Sequence, residues 1–261
     1  KTDYDKVDFA VTNDIHEHTD VLEQLFKDAR GKNYDFVLYN GDMTTTLNDH
    51  TKIMSCYMNS TSKLFADETP FYCVRGNHEF RGRESVNWLD YFVSPGGKPY
   101  YYFTYGKFFF LVLDGAEDKP DSDIEYQGVL ATSPFLSRET EWLKDVVKGP
   151  EFRNSEVRIV FCHIPPVDPG AQLPAWYGDA MVNDNFVPVL NEAGVDVMFS
   201  AHEHNYRLAP AGKGKAKFPV LVNDNEERMD ITATKDKISV KIYDKDGKQT
   251  HTNEFKTRLY K

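Results

Sequence analysis

The sequence predicts an α/β sandwich. Two observations carry that expectation: short apolar runs recur along the chain, and the gaps between them show helical periodicity closed by stop residues. The runs are Val7 to Val11, Phe36 to Tyr39, Phe71 to Val74, Phe108 to Leu113, Val157 to Cys162 and Val195 to Phe199. All are too short to be helices and rich in β-branched or aromatic residues, as buried strands are.

In chain order, the first strand leads into a helix expected over Thr19 to Arg30. Val21, Leu22, Leu25, Phe26 and Ala29 share one face there, and Gly31 stops it. The aromatic segment Tyr100 to Tyr105 is joined to Phe108–Leu113 by Gly106-Lys107, a hairpin signal. A second helix is expected over Glu139 to Lys148, with Ser137 as N-cap. Trp142, Leu143, Val146 and Val147 face inward, and Gly149-Pro150 ends it. A third, Asp184 to Ala193, ends at Gly194, and Val220 to Phe255 reads as several strands with an Asp246-Gly247 turn. Gly212 to Lys217 is a short flexible candidate, and no internal repeat or long linker is evident. The simplest organisation is one domain over residues 1–261, with residues 215–261 as a strand-rich part packed on the rest.

Composition narrows the partners. In 261 residues, 41 acidic against 31 basic side chains give a net charge of −10, which disfavours bulk binding to nucleic acid phosphates. A local basic pocket is still compatible. No apolar stretch is long enough to span a membrane, and Lys1 to Asp5 are charged rather than signal-like. Because a strand starts within the first ten residues, an upstream domain or targeting segment is one expectation for what precedes residue 1. Cys56, Cys73 and Cys162 form no C-x-x-C pair. Cys73 and Cys162 sit in apolar runs where a small buried hydrophobe fits, so the redox compartment stays open.

The informative regularity is positional. Val11 leads to Asp14 and His16, Tyr39 to Asp42, Val74 to Asn77 and His78, Cys162 to His163, and Phe199 to His202 and His204. Loops at the carboxyl ends of α/β strands meet on one edge, so five loops would deliver these groups to one place. The i, i+2 pairs Asp14/His16 and His202/His204 would each project to one side if the backbone there is extended. Four imidazoles, two carboxylates and one amide, without thiolate, suit zinc, iron, manganese or cobalt better than calcium. Two dications about 3.5–4 Å apart repel and need an anionic bridge. Asp42, after Gly41, is the expected bridge. His78 would then lie beside the metals as an acid or a phosphate donor rather than a ligand.

These motifs, Asp14-Ile15-His16, Gly41-Asp42, Gly76-Asn77-His78-Glu79, Cys162-His163 and His202-Glu203-His204, resemble in order those of the calcineurin-like metallophosphoesterase superfamily. His202 to Arg207, Gly76 to Gly82 and the strand-rich tail look most like the catalytic domains of purple-acid-phosphatase-like bacterial enzymes. The resemblance implies a four-layered αββα sandwich of two mixed sheets flanked by helices. It implies one ion held by Asp14, His16, Asp42 and His204 and another by Asp42, Asn77, His163 and His202. It further implies hydrolysis of a small phosphomonoester or phosphodiester by a metal-bound hydroxide, with His78 assisting the leaving group, and it favours a periplasmic or secreted setting.

Three departures qualify it. Ala201 replaces the usual Gly before the last His pair. Thr45 stands where the purple enzymes place a metal-bound tyrosine, which argues against a ferric phenolate. Met43 to Leu47 lacks the arginine of the protein Ser/Thr phosphatases, so that branch is set aside. Other readings stay in view: a non-catalytic interaction module on the same fold, which the intact ligand set disfavours, and a nuclease or nucleotidase, which the acidic charge weakens. Arg81 and Arg207 are candidate phosphate contacts, as are Arg75 and Arg83, although a structural ion pair explains any one of them equally well. Glu79 reads as a hydrogen-bonding scaffold, Asp114 as a turn residue, Trp176 and Tyr177 as pocket wall or packing, and His18, His50 and His251 as structural.

Overall fold

A computed structural model describes residues 4–168, 170 and 175–259. The chain runs β1 (Lys6–Thr12), α1 (Thr19–Leu25), β2 (Phe36–Asn40), α2 (His50–Ile53), α3 (Ser60–Leu64), β3 (Phe71–Val74) and α4 (Trp88–Tyr91). It continues with β4 (Tyr101–Tyr105), β5 (Phe108–Leu113), α5 (Thr132–Val146), α6 (Pro150–Arg153), β6 (Val157–Cys162), α7 (Tyr177–Asn185) and α8 (Val187–Ala193). The remaining elements are strands: β7 (Val197–Ser200), β8 (Arg207–Ala209), β9 (Val220–Val222), β10 (Glu227–Thr234), β11 (Lys237–Asp244) and β12 (Gln249–Lys256).

Two six-stranded sheets form, in the orders β12-β11-β10-β1-β2-β3 and β4-β5-β6-β7-β9-β8. Both are mixed: β1, β2 and β3 are parallel, as are β5, β6, β7 and β9, while the remaining pairings are antiparallel. Alternation along the strands explains the layering. Phe9, Phe36, Phe110, Phe161 and Phe199 point into the space between the sheets, with Phe9 edge-on to Phe110 at 5.6 Å and to Phe161 at 6.0 Å. Their neighbours Ala10, Val37 and Tyr39 face the first helix layer, and Phe109, Val160 and Cys162 face the second. Each fully buried Phe contributes roughly 1.5–3 kcal/mol of transfer free energy. The result is the αββα sandwich, and the strand-rich tail enters it through β10, which pairs with β1.

Several local expectations are corrected. The first helix ends at Leu25 and resumes as a 3₁₀ turn over Ala29–Gly31. The second starts at Thr132, not near Ser137, whose hydroxyl donates instead to the Ser133 carbonyl. The Asp121 carboxylate, eleven residues upstream, accepts from the Thr132 and Ser133 amides and does the capping. The third is two helices, α7 and α8, broken at Phe186 because Pro188 cannot continue a helix. The helical segment from His50 to Leu64, with a π-type stretch at Met54–Asn59, was not expected from its polar sequence. All three cysteines are buried and free, and no helix of the described residues is long and apolar enough to cross a membrane.

Candidate metal centre

The loops after β1, β2, β3, β6 and β7 bring all seven candidate ligands together. Asp14 Oδ1 lies 3.3 Å from His204 Nε2 and 3.8 Å from both His16 Nε2 and His163 Nε2. Asp42 Oδ2 lies 3.1 Å from His163 Nε2 and 3.9 Å from both His16 Nε2 and His78 Nε2. His16 Nε2 and His204 Nε2 face each other at 3.2 Å. Asp42 thus belongs to the Asp42/His163/His202 group and also reaches His16 of the Asp14/His16/His204 group.

The i, i+2 pairs arrive differently from the extended backbone expected of them. Asp14, His16, Asp42, His202 and His204 all have positive φ, between 45° and 73°. Left-handed backbone is unfavourable for such residues and persists only where surrounding contacts over-determine it. Those contacts are present: Asp14 N donates to Gly41 O, His16 N to Asp42 O, and His202 N to the Asp14 carboxylate. Gly41 has φ 88°, and a Cβ there would collide with the His163 ring; one at Gly76 would collide with the Asp42 carboxylate. Close packing therefore requires both glycines, and the backbone conformation requires Gly41 as well.

The buried donors fit a cation. His163 Nδ1 donates to the Asn40 carbonyl at 2.7 Å, so Nε2, which faces Asp42, is the nitrogen left for a metal. Asp14 Oδ1 has no hydrogen-bond partner although buried. The Asn77 amide presents one heteroatom to His202 Nδ1 at 3.1 Å and to Asp42 Oδ2 and His163 Nε2 at 3.2 Å, and the other to Arg81 Nη2 at 3.1 Å. Hydrogen bonding alone favours nitrogen inward, whereas a cation among those acceptors favours oxygen. Burial raises both aspartic acids, but His163 and the neighbouring imidazoles outweigh it and hold Asp14 and Asp42 below the usual range. Burial lowers His163, yet the two carboxylates raise it to about 10, while burial drops His202 to about 4. Protons supply the positive charge that a metal would displace.

His78 sits beside this set. Its Nδ1 donates to the Thr45 carbonyl at 2.8 Å, and its ring is 4.7 Å from that of His16. Arg81 Nη1 lies 3.0 Å from His78 Nε2, and its guanidinium is gripped by buried Glu117. Geometry alone also groups His78 with His16 and Asp42, so its Nε2 is within reach of a cation.

The other candidates are placed as follows. Arg207 is paired with Glu203 and lies 3.8 Å from Asp168, and Arg83 donates to the Asn48 carbonyl. Arg75 forms a buried pair with Asp114 at 2.8 Å and stacks on Phe80. Trp176 stands edge-on to His202 at 5.2 Å, and Tyr177 packs on Ser133. Sequence reasoning missed Asn13, which donates to Asp14 Oδ2, and Asp118, whose carboxylate is 4.0 Å from the orphaned Nε2 of His202. The signal was available: β5 is one more parallel strand, and Glu117 and Asp118 follow it by the same rule as the ligands.

The fold and this cluster define an α/β protein that gathers metal-binding side chains from both sheets at one strand edge. The chain belongs to the calcineurin-like phosphoesterase family, whose model matches residues 7–206. A 75-residue segment is 33% identical to the DNA double-strand break repair protein Mre11 of Methanosarcina mazei, covering 29% of this chain and 12% of that protein. A dimetal phosphatase from Danio rerio has the same fold, with TM-score 0.67 at 14% identity over 96% of this chain and 99% of that one. So does GAP50, described as the anchor in the inner membrane complex of Plasmodium, with TM-score 0.64 at 13% identity over 98% and 90% of the two chains.

Glu79 holds the site's loops together. One carboxylate oxygen accepts from the Asp42 and Gly76 amides, the other from the Thr44 amide and hydroxyl and from Tyr57 OH. Five donors demand an acceptor-only group. Glu79→Gln turns an NH₂ towards donors and strands at least one of them, so the metal-free protein should lose about 2–4 kcal/mol in urea unfolding. An unchanged midpoint would show that this network does not support the loops.

Proposed function

We propose that the chain is a metal-dependent hydrolase of small phosphomonoesters or phosphodiesters. Asp14, His16, Asp42 and His204 would hold one ion, and Asp42, Asn77, His163 and His202 the other. The observation that carries this reading is that Asp42 Oδ2 lies within 3.9 Å of imidazoles from both donor groups, His16 of one and His163 of the other. When bound, the ion pair would polarise the phosphoryl group and lower the pKa of a water. The residues do the rest. Asp14 and Asp42 offset the positive charge, His163 is fixed in its ligating tautomer by the Asn40 carbonyl, and His78 is held by Thr45 so that Nε2 faces the place of the leaving oxygen.

Similarity to Mre11 raises a nuclease reading and similarity to GAP50 a non-catalytic one; the net charge of −10 and the complete ligand set weigh against them in turn. The test is a panel of aryl monoesters, aryl diesters, nucleotides and single-stranded DNA after loading with manganese, zinc or iron. Hydrolysis of the small esters supports the proposal. Cleavage of DNA alone, or of nothing, would replace it with one of the rivals.

A tyrosinate ligand is not part of this reading. Thr45 occupies the position in question, Tyr39 OH pairs with Thr61 in the helix layer, and Tyr57 OH donates to Glu79. Iron-loaded protein should therefore show no strong visible charge-transfer band. Observing one would require a phenol to enter the cluster and would undo the ligand set given above.

A further inference from the structure

Beside the metal cluster lies a cavity of about 760 Å³, lined by Arg81, Thr46 and the first turns of α5 among others. That volume is in the range of small-molecule sites. Phe80 and Phe135, edge to face at 5.9 Å, give it an aromatic wall. Val86 and Val129 rim it and are 83% and 86% exposed.

Charge sets the cavity apart from the rest of the molecule. Its only charged lining side chains among the described residues are Arg81 and Arg138, in a chain with ten more acidic than basic residues. Arg81 is neutralised by Glu117, whereas Arg138 is exposed and has no hydrogen bond or ion pair among the described residues. Among the described residues, the cavity's uncompensated cation is thus Arg138, on α5.

We propose that this cavity is the leaving-group subsite, and that it takes an aromatic or apolar alcohol moiety ending in an anionic group that pairs with Arg138. The inference rests on the phosphoesterase reading for its orientation: phosphate at the Asp42 cluster, the ester oxygen near His78, and the organic part running past Arg81 and Thr46. Carboxylate and phosphate are equivalent anions for the guanidinium in this respect. The subsite makes the substrate an amphiphilic phosphoester rather than a small aliphatic one.

The test compares kcat/KM for biphenyl-4-yl phosphate with that for its 4′-carboxy and 4′-phosphono analogues, in wild type and Arg138→Gln. The wild type should prefer the anionic esters by about tenfold or more, the scale of one charge-assisted hydrogen bond. Arg138→Gln should lose that preference and leave the uncharged ester unchanged. Preference for only one of the two anions identifies the natural terminus. Equal rates for all three esters in both proteins would overturn the subsite while leaving the phosphoesterase reading intact. If no ester is turned over, calorimetric binding of 4′-hydroxybiphenyl-4-carboxylate, which has no phosphate, decides. Binding that weakens about tenfold in Arg138→Gln sustains the subsite, and absence of binding to wild type overturns it.

Discussion

Asp42→Asn should abolish turnover and lower metal content together. The side chain is 1% exposed and faces His16, His78 and His163 at 3.1 to 3.9 Å, so its charge reaches both donor groups. Two dications at bridging distance repel by several kcal/mol even with strong screening, and a neutral amide offsets little of that. Asparagine keeps the shape, so the fold should survive; Asp42 Oδ1 also accepts from His78 N, an interaction an amide oxygen can keep. Circular dichroism should be unchanged while elemental analysis shows loss of metal. Full occupancy in the mutant would remove Asp42 from the bridging role.

The second large effect is expected at His78. His78→Ala should retain metal and fold yet lose roughly 10²–10⁴ in rate on esters with basic leaving groups, the usual scale for general acid catalysis. The deficit should shrink as the leaving group becomes more acidic, since a stabilised phenolate departs without a proton. The ring is placed with Nε2 3.9 Å from Asp42 Oδ2 and 3.0 Å from Arg81 Nη1. A loss equal across the series would make His78 a phosphate-binding donor instead. Loss of metal would make it a ligand, as its grouping with His16 and Asp42 allows.

Much of this was legible because strand ends carry their own punctuation. Phe71–Val74, Phe108–Leu113 and Val157–Cys162 match their runs to the residue, and each donor group could be placed simply by counting past a strand. The helices were less legible because their limits depend on distant partners. The α5 start is capped by Asp121 rather than by anything adjacent, and α1 tightens before its apolar face ends. The left-handed backbone at five ligands was hidden for a similar reason. Hydrogen bonds between loops hold it, among them Asp14 N to Gly41 O and His202 N to the Asp14 carboxylate, and none of these contacts is local. Arg75 shows the same limit: beside the motif in sequence, it is committed to a buried pair with Asp114, thirty-nine residues away.

The central claim is that one chain holds two ions and that both are needed for hydrolysis. Titrating metal-free protein with manganese or zinc, while following bound metal by elemental analysis and turnover of an aryl phosphate in the same samples, tests it directly. The account predicts saturation at two ions per chain, with turnover rising only as the second site fills. Full turnover at one ion per chain, or saturation at one, would contradict it.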